Sequence, residues 1–356
     1  MQNGTLWVAC PHPQIIFQYF DGRTGARMVR IQQHITQKTM KRLFHRLRFP
    51  VLAFTALIIV ASCANHVASL PVPRGVVKRT EKVVLQGREV PVDFYLPQHV
   101  EKAPVVIVAH GFTRSRRVMA GWGNLLAQNG MIAVVPNLPF LTHHFRNARA
   151  INDLIALVHT PGHLTQPAPS NAVAIMGHSA GGYATVLAAS HEKRLRCWIG
   201  LDPVDFDDQA LKAVASVQSP GLMLLAEPGA WNRQANAVPW LNHAAGPLTA
   251  LRIHHSTHCD AENPSSLLAD FICGRTDPGR RAIYEKYALA MLKLHLFSDA
   301  ASAEVLKKAA QDRSVSVLAP PADLHPAPRQ SALLWQPTST VTHTSPASPR
   351  DPALHG

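Results

Sequence analysis

Between Val105 and His254 the chain repeats one pattern that leaves few folds open. Six short apolar runs, Val105–Ala109, Met131–Pro136, Val173–Met176, Cys197–Leu201, Leu222–Ala226 and Leu248–His254, carry almost no charge. Short uninterrupted runs of this kind read as strands buried on both faces. Between them lie stretches with helical spacing at 115–129, 146–158 and 181–192, and another at 278–297 follows the last run. Strand–helix alternation with continuous apolar strands implies a mostly parallel central sheet with helices on both faces. Upstream, Lys82–Leu85 and Val90–Leu96 flank Gln-Gly-Arg-Glu and read as an antiparallel N-terminal hairpin. Ligands of such sheets sit beyond the carboxyl ends of the strands, so the chemistry is sought just after each run.

The run Val173–Met176 stops at Gly177-His178-Ser179-Ala180-Gly181 and resumes as a helical stretch. G-x-S-x-G at a strand-to-helix turn is a nucleophile elbow, the alternative being a glycine-rich turn with a capping serine. The turn is so tight that a Cβ at either flanking position would meet the neighbouring strand or helix. It lifts the Ser179 hydroxyl above the sheet edge, and the Ala180 N–H at the positive helix end can stabilise an oxyanion. His110-Gly111-Phe112 follows the first run, and its glycine admits a reacting carbonyl close to the backbone. The Phe112 N–H is the candidate second donor, one such donor being worth about 3 kcal/mol in the transition state. His110 and His178 read as structural.

A general base must reach back over Ser179 from a loop. In Ile253-His254-His255-Ser256-Thr257-His258-Cys259-Asp260 the residue past the strand is His258, with His255 the runner-up. Two carboxylates are placed to orient it, Asp202 after Cys197–Leu201 and Glu227 after Leu222–Ala226. Asp202 is favoured, since it is short and Pro203 restricts the preceding backbone to extended geometry. Asp205, Asp207 and Asp208 read as a solvated acidic turn. Trp231 and Trp240 are candidates either to line the cleft or to cover the core edge. The gaps after the fourth and fifth runs are too short for a large lid, which predicts an open cleft.

No cysteine spacing suggests a metal site. Cys197, inside an apolar run, reads as a core residue. Cys259 and Cys273 are candidates for a disulfide that would pin the His258 loop to the following helix, worth about 3 kcal/mol by chain entropy.

Three motifs in order, "HGFTRS", "WGNLLAQNGMIAVVPN" and "GHSAGG", resemble the bacterial polyester hydrolases of the cutinase type. "GLDPVD" resembles the chlorophyllases instead. Over about residues 80–275 the chain is similar to the shared chlorophyllase/polyester-hydrolase branch of the α/β-hydrolases, a dienelactone-hydrolase-like group. That resemblance implies an α/β-hydrolase fold and ester hydrolysis by a Ser-His-acid triad without cofactor or metal. It places Ser179, His258 and an acid in those roles, and Asp202 matches the aspartate of the chlorophyllase Asp-Pro motif. Two positions depart from the polyester hydrolases: Glu-Pro-Gly-Ala-Trp stands where they carry an aspartate, and Ala180 where they carry a methionine. An acyltransferase using the same triad and a catalytically idle surface lipoprotein are the competing readings.

The segment beginning Met40-Lys-Arg-Leu-Phe-His-Arg-Leu-Arg is basic, and Phe49–Ser62 is an uncharged run of 14 residues. This describes a secretory signal over 40–62, shorter than the roughly 20 residues a spanning helix needs. Val60-Ala61-Ser62-Cys63 resembles a bacterial lipobox, which implies lipidation of Cys63, a membrane anchor and a periplasmic or cell-surface location. Residues 1–39 then read as an over-extended start, 63–75 as a linker, 76–316 as the globular domain and 317–356 as a disordered Pro/Ser/Thr-rich tail. Of the net charge of +13, residues 1–62 carry +7, and the rest forms no basic stripe interleaved with aromatics. Nucleic acid is therefore excluded as partner. A monomer acting on an ester is expected.

Overall fold

A computed structural model describes residues 70–319. The signal segment, Cys63 and most of the expected tail lie outside the described residues. The strands are β1 (Val76–Leu85), β2 (Arg88–Pro97), β3 (Lys102–Ala109), β4 (Ile132–Pro136), β5 (Ala168–His178), β6 (Leu195–Leu201), β7 (Gly221–Leu225), β8 (Leu248–Ile253) and β9 (Val315–Ala319). They form one sheet in the order β1-β2-β4-β3-β5-β6-β7-β8-β9. β4, β3 and β5 to β8 run parallel, while β1, β2 and β9 are antiparallel additions at the two edges. The hairpin is longer than the sequence suggests and turns at Gln86-Gly87, with φ of 50° and 79°. Two successive positive φ values match the right-handed twist of the paired strands, and glycine takes the second without a Cβ clash.

Helices among the described residues are α1 (Ala120–Gln128), α2 (His144–Val158), α3 (Ala180–Ala189), α4 (Gln209–Val214), α5 (Leu267–Cys273), α6 (Pro278–Phe297) and α7 (Ala300–Lys307). Strand alternation divides the apolar residues between two cores. Val105, Ile107 and Ala109 pack in one with Ile151, Leu154 and Tyr183. Val106 and Val108 pack in the other with Trp122, Tyr287 and Met291. Both faces of β3 are thus sealed, each large aliphatic side chain contributing about 2 kcal/mol by leaving water. Every residue of α3 is buried, as a helix apolar all round must be. α6 is preceded by Asp277, whose carboxylate caps the Arg280 N–H, with Pro278 in the first turn where its missing N–H costs nothing.

Several elements escape the apolar pattern. α4, α5 and α7 are short, and β9 carries the domain through Ala319, so the boundary expected at 316 falls inside a strand. The 115–129 stretch opens with a single 3-10 turn at Arg116–Met119 before α1. Trp240 is fully buried in the first core, donating to an Asp205 carboxylate oxygen at 3.0 Å, so it does not line a cleft. Trp231 is half exposed. Between β6 and β7 the only helix is α4, and between β7 and β8 the only one is the short 3-10 helix Val238–Asn242. Among the described residues no helix is long and apolar enough to cross a membrane, and no group of His, Cys, Asp or Glu is placed to hold a metal ion.

Candidate active site

Ser179 stands between β5 and α3 as the helix cap, with φ 55° and ψ −120°, a strained conformation for a residue with a side chain. Its neighbours explain how the strain is held. A Cβ on Gly177 would lie 2.4 Å from the Gly181 carbonyl, and one on Gly181 would lie 2.5 Å from the His110 carbonyl oxygen. Backbone cannot yield to such contacts, so both flanks require glycine and the serine takes the turn between them.

The structure brings three of the sequence candidates into one hydrogen-bonded series. His258 Nε2 is 2.9 Å from Ser179 Oγ, and His258 Nδ1 is 2.6 Å from Asp202 Oδ2. Burial works against a charged His258 ring, but the hydrogen bond and negative charge of Asp202 prevail and raise its pKa above the ordinary histidine value. His258 opens a one-turn helix, His258–Ala261, set in place by Asp260. The buried Asp260 carboxylate accepts from the Thr257 N–H at 2.7 Å and pairs with Arg280 at 2.6 Å.

Asp202 is completely buried and heavily supported. Its Oδ1 accepts from the Ala226 N–H at 3.0 Å, and Asn232 Nδ2 lies 3.3 and 3.2 Å from its two oxygens. Asn232 is itself fixed, because its carbonyl oxygen accepts from the Gly229 and Ala235 N–H groups. The backbone reason for preferring Asp202 fails: its φ is 42°, in the left-handed region, not extended as a residue before proline favours. What holds the carboxylate is its set of donors.

The other candidates sit elsewhere. Glu227 is only partly buried, and its carboxylate accepts from the His255 N–H at 3.2 Å. His255 is exposed and packs edge-on to His254. His110 holds a loop: its Nδ1 is 2.8 Å from the Gly111 carbonyl, and its Nε2 accepts from the Leu138 N–H at 2.9 Å. Burial lowers its pKa to about 4, which keeps the ring neutral for that pair of bonds. The acidic turn is not solvated throughout. Asp205 is buried, accepting from the Leu211 N–H as well as from Trp240, and Asp207 accepts from the Tyr183 hydroxyl.

The disulfide considered for Cys259 and Cys273 is not formed: both are free thiols. They do touch, the Cys259 thiol donating to Cys273, and this contact together with burial holds the Cys259 pKa far above the ordinary thiol value. The same contact lowers the Cys273 pKa. Cys197 is a buried core residue.

The two candidate oxyanion donors are the Ala180 and Phe112 N–H groups. Ala180 is the first residue of α3, so its N–H lacks an intrahelical acceptor. Phe112 follows Gly111, at which a Cβ would lie 3.2 Å from Ser179 Cβ. Asn232, the partly buried Arg114 and the buried Glu262 have no signal in the sequence, standing singly in loops.

No protein-family model matches the chain, and no curated protein matches it in sequence. What defines the site is geometry: a hydroxyl, an imidazole and a carboxylate in series at the carboxyl edge of a parallel sheet. Such a series can move a proton from the hydroxyl to the ring as the oxygen attacks an electrophile.

Proposed function

We propose that the chain is a serine-dependent carboxylic-ester hydrolase of the α/β-hydrolase fold, in the chlorophyllase/cutinase-type branch, exported and held at a membrane by lipid on Cys63. The reading is carried by one observation, the Ser179–His258–Asp202 series at 2.9 and 2.6 Å on a glycine-flanked, positive-φ turn. The chain order Ser, Asp, His fits it as well.

In this mechanism Ser179 Oγ attacks the ester carbonyl carbon while its proton passes to His258 Nε2. Asp202 stays ionised, holds the Nδ1–H and stabilises the imidazolium. The carbonyl oxygen, now negative, is met by the Phe112 and Ala180 N–H groups. As the tetrahedral adduct collapses, His258 returns the proton to the departing alcohol and leaves an acyl-serine. Water then repeats the sequence, giving up a proton to His258 and releasing the acid. An alcohol in place of water would make the same machinery an acyltransferase.

The test is turnover of a nitrophenyl ester series by the purified protein, with and without added alcohols, beside Ser179→Ala. Release of free acid by the native chain, unchanged by alcohols, and a loss of several orders of magnitude in the variant are expected. Alcohol-dependent transester formation would make acyl transfer the activity, and full turnover by Ser179→Ala would sink the mechanism.

A further inference from the structure

A second buried polar series meets His258 at its backbone instead of its ring. His178, the variable residue of the elbow, is buried, and its Nε2 lies 2.8 Å from the His258 carbonyl oxygen. A carbonyl only accepts, so this nitrogen carries the hydrogen. The two imidazole rings stand 4.7 Å apart at 42°. His178 Nδ1 faces Glu262 Oε1 at 3.7 Å and has no hydrogen-bond partner among the described residues. Glu262, fully buried, takes the Arg114 guanidinium at 2.7 Å on that same oxygen.

These three side chains come from the three segments that carry the proposed machinery. Arg114 belongs to the loop that bears Phe112, His178 precedes Ser179, and Glu262 follows the His258 turn. A Cβ on Gly111 would lie 3.2 Å from His178 Nδ1, so the ring also abuts the oxyanion loop. Fully buried polar groups are costly unless well paired, and apolar residues of equal size often serve stability better. Here Glu262 Oε2 and His178 Nδ1 are left without hydrogen-bond partners. A purely structural role accounts poorly for that choice, whereas a fixed donor to the His258 carbonyl accounts for it directly.

We propose that His178, backed by Glu262 and Arg114, is a positioning residue that holds the His258 backbone so that its ring stays between Ser179 and Asp202. The inference rests on the ester-hydrolase reading. Burial also keeps the His178 ring neutral by pushing its pKa well down, which leaves the single N–H on Nε2, where the carbonyl accepts it.

The experiment compares His178→Leu and His178→Gln with the native full chain on a nitrophenyl ester, counting active sites with a phosphonate probe. Leucine fills the space without a donor, and kcat should fall about 10- to 100-fold with KM unchanged, the cost of slightly misplacing a catalytic group. Glutamine offers an N–H to the same carbonyl and should recover most of the loss. A folded His178→Leu with native kcat, or equal losses in both variants, overturns the proposal. If His178→Leu does not fold, His178→Asn takes its place: too short to reach the carbonyl, it must fall well below His178→Gln, and equal kcat values overturn the proposal. A native chain without turnover or labelling defeats the hydrolase reading itself, and this inference falls with it.

Discussion

The ends of β6 and β7 each carry a carboxylate, and the two are treated very differently. Asp202 is sealed from solvent and receives the Ala226 N–H, the Asn232 amide and the His258 ring. Glu227 is partly exposed and receives the His255 N–H. Strand-end position is shared, and so is charge. What separates them is burial and the number of donors that hold the group still. A carboxylate that must orient an imidazole is defined by its support, and the support of Asp202 comes partly from the loop after β7, the strand that presents its rival.

The largest expected break in this comparison is Asp202→Asn. Losing the carboxylate leaves His258 in the wrong tautomer, and ester turnover should drop roughly 10⁴-fold. A small loss there beside a large one in Glu227→Gln would invert the assignment.

The contrast extends to the histidines, buried with or without a carboxylate beside the ring. His258, beside Asp202, titrates above the ordinary value, whereas burial lowers His110 and His295 to about 4. For the lowered pair the unfolded state takes up protons near pH 6.5 that the folded state refuses. Stability should therefore fall as pH drops from about 6.5 to about 4, on the order of 3 kcal/mol for each ring. The raised His258 works in the opposite sense, its contribution being complete below about pH 6.5 and lost as pH rises through its folded pKa. Denaturant titrations across that window should show net acid destabilisation, and replacing His295 with a buried apolar residue should flatten it.

Asn232→Ala sharpens the comparison by removing support while leaving the carboxylate. Buried hydrogen bonds to a charged group are worth about 1.5–3 kcal/mol, so kcat/KM should fall roughly 10- to 100-fold. Glu227→Gln is the smallest change. Its partly exposed carboxylate has no place in the series, and turnover should stay within about twofold.

Much of this was readable from the residues because its causes are local. All six apolar runs fall on parallel strands, and Gly177 and Gly181 are needed by sterics that a five-residue pattern already contains. His258 was singled out as the histidine past the strand, but β8 ends at Ile253, so His254 and His255 lie past it as well and that criterion does not separate the three. The residues that finish the site were not readable. Asn232 reaches Asp202 across 30 positions, and Glu262 meets Arg114 across 148. Neither stands in a periodic run, and a single polar residue in a loop reads as solvated until the fold buries it. Asp205 was misjudged for that reason, being buried and bonded to the core residue Trp240. β9 is a short edge strand whose partner among the described residues, β8, lies far back in the chain. The preference for Asp202 was reached through a backbone rule that its φ of 42° disobeys.

The account stands or falls on Ser179 as an activated nucleophile. The direct measurement is site mapping by mass spectrometry after reaction with an organophosphonate probe, on the native chain and on Asp202→Asn and Glu227→Gln. The account predicts one adduct, on Ser179, formed rapidly in the native chain and in Glu227→Gln and far more slowly in Asp202→Asn. An adduct on another serine, or no adduct on folded native protein, would contradict it.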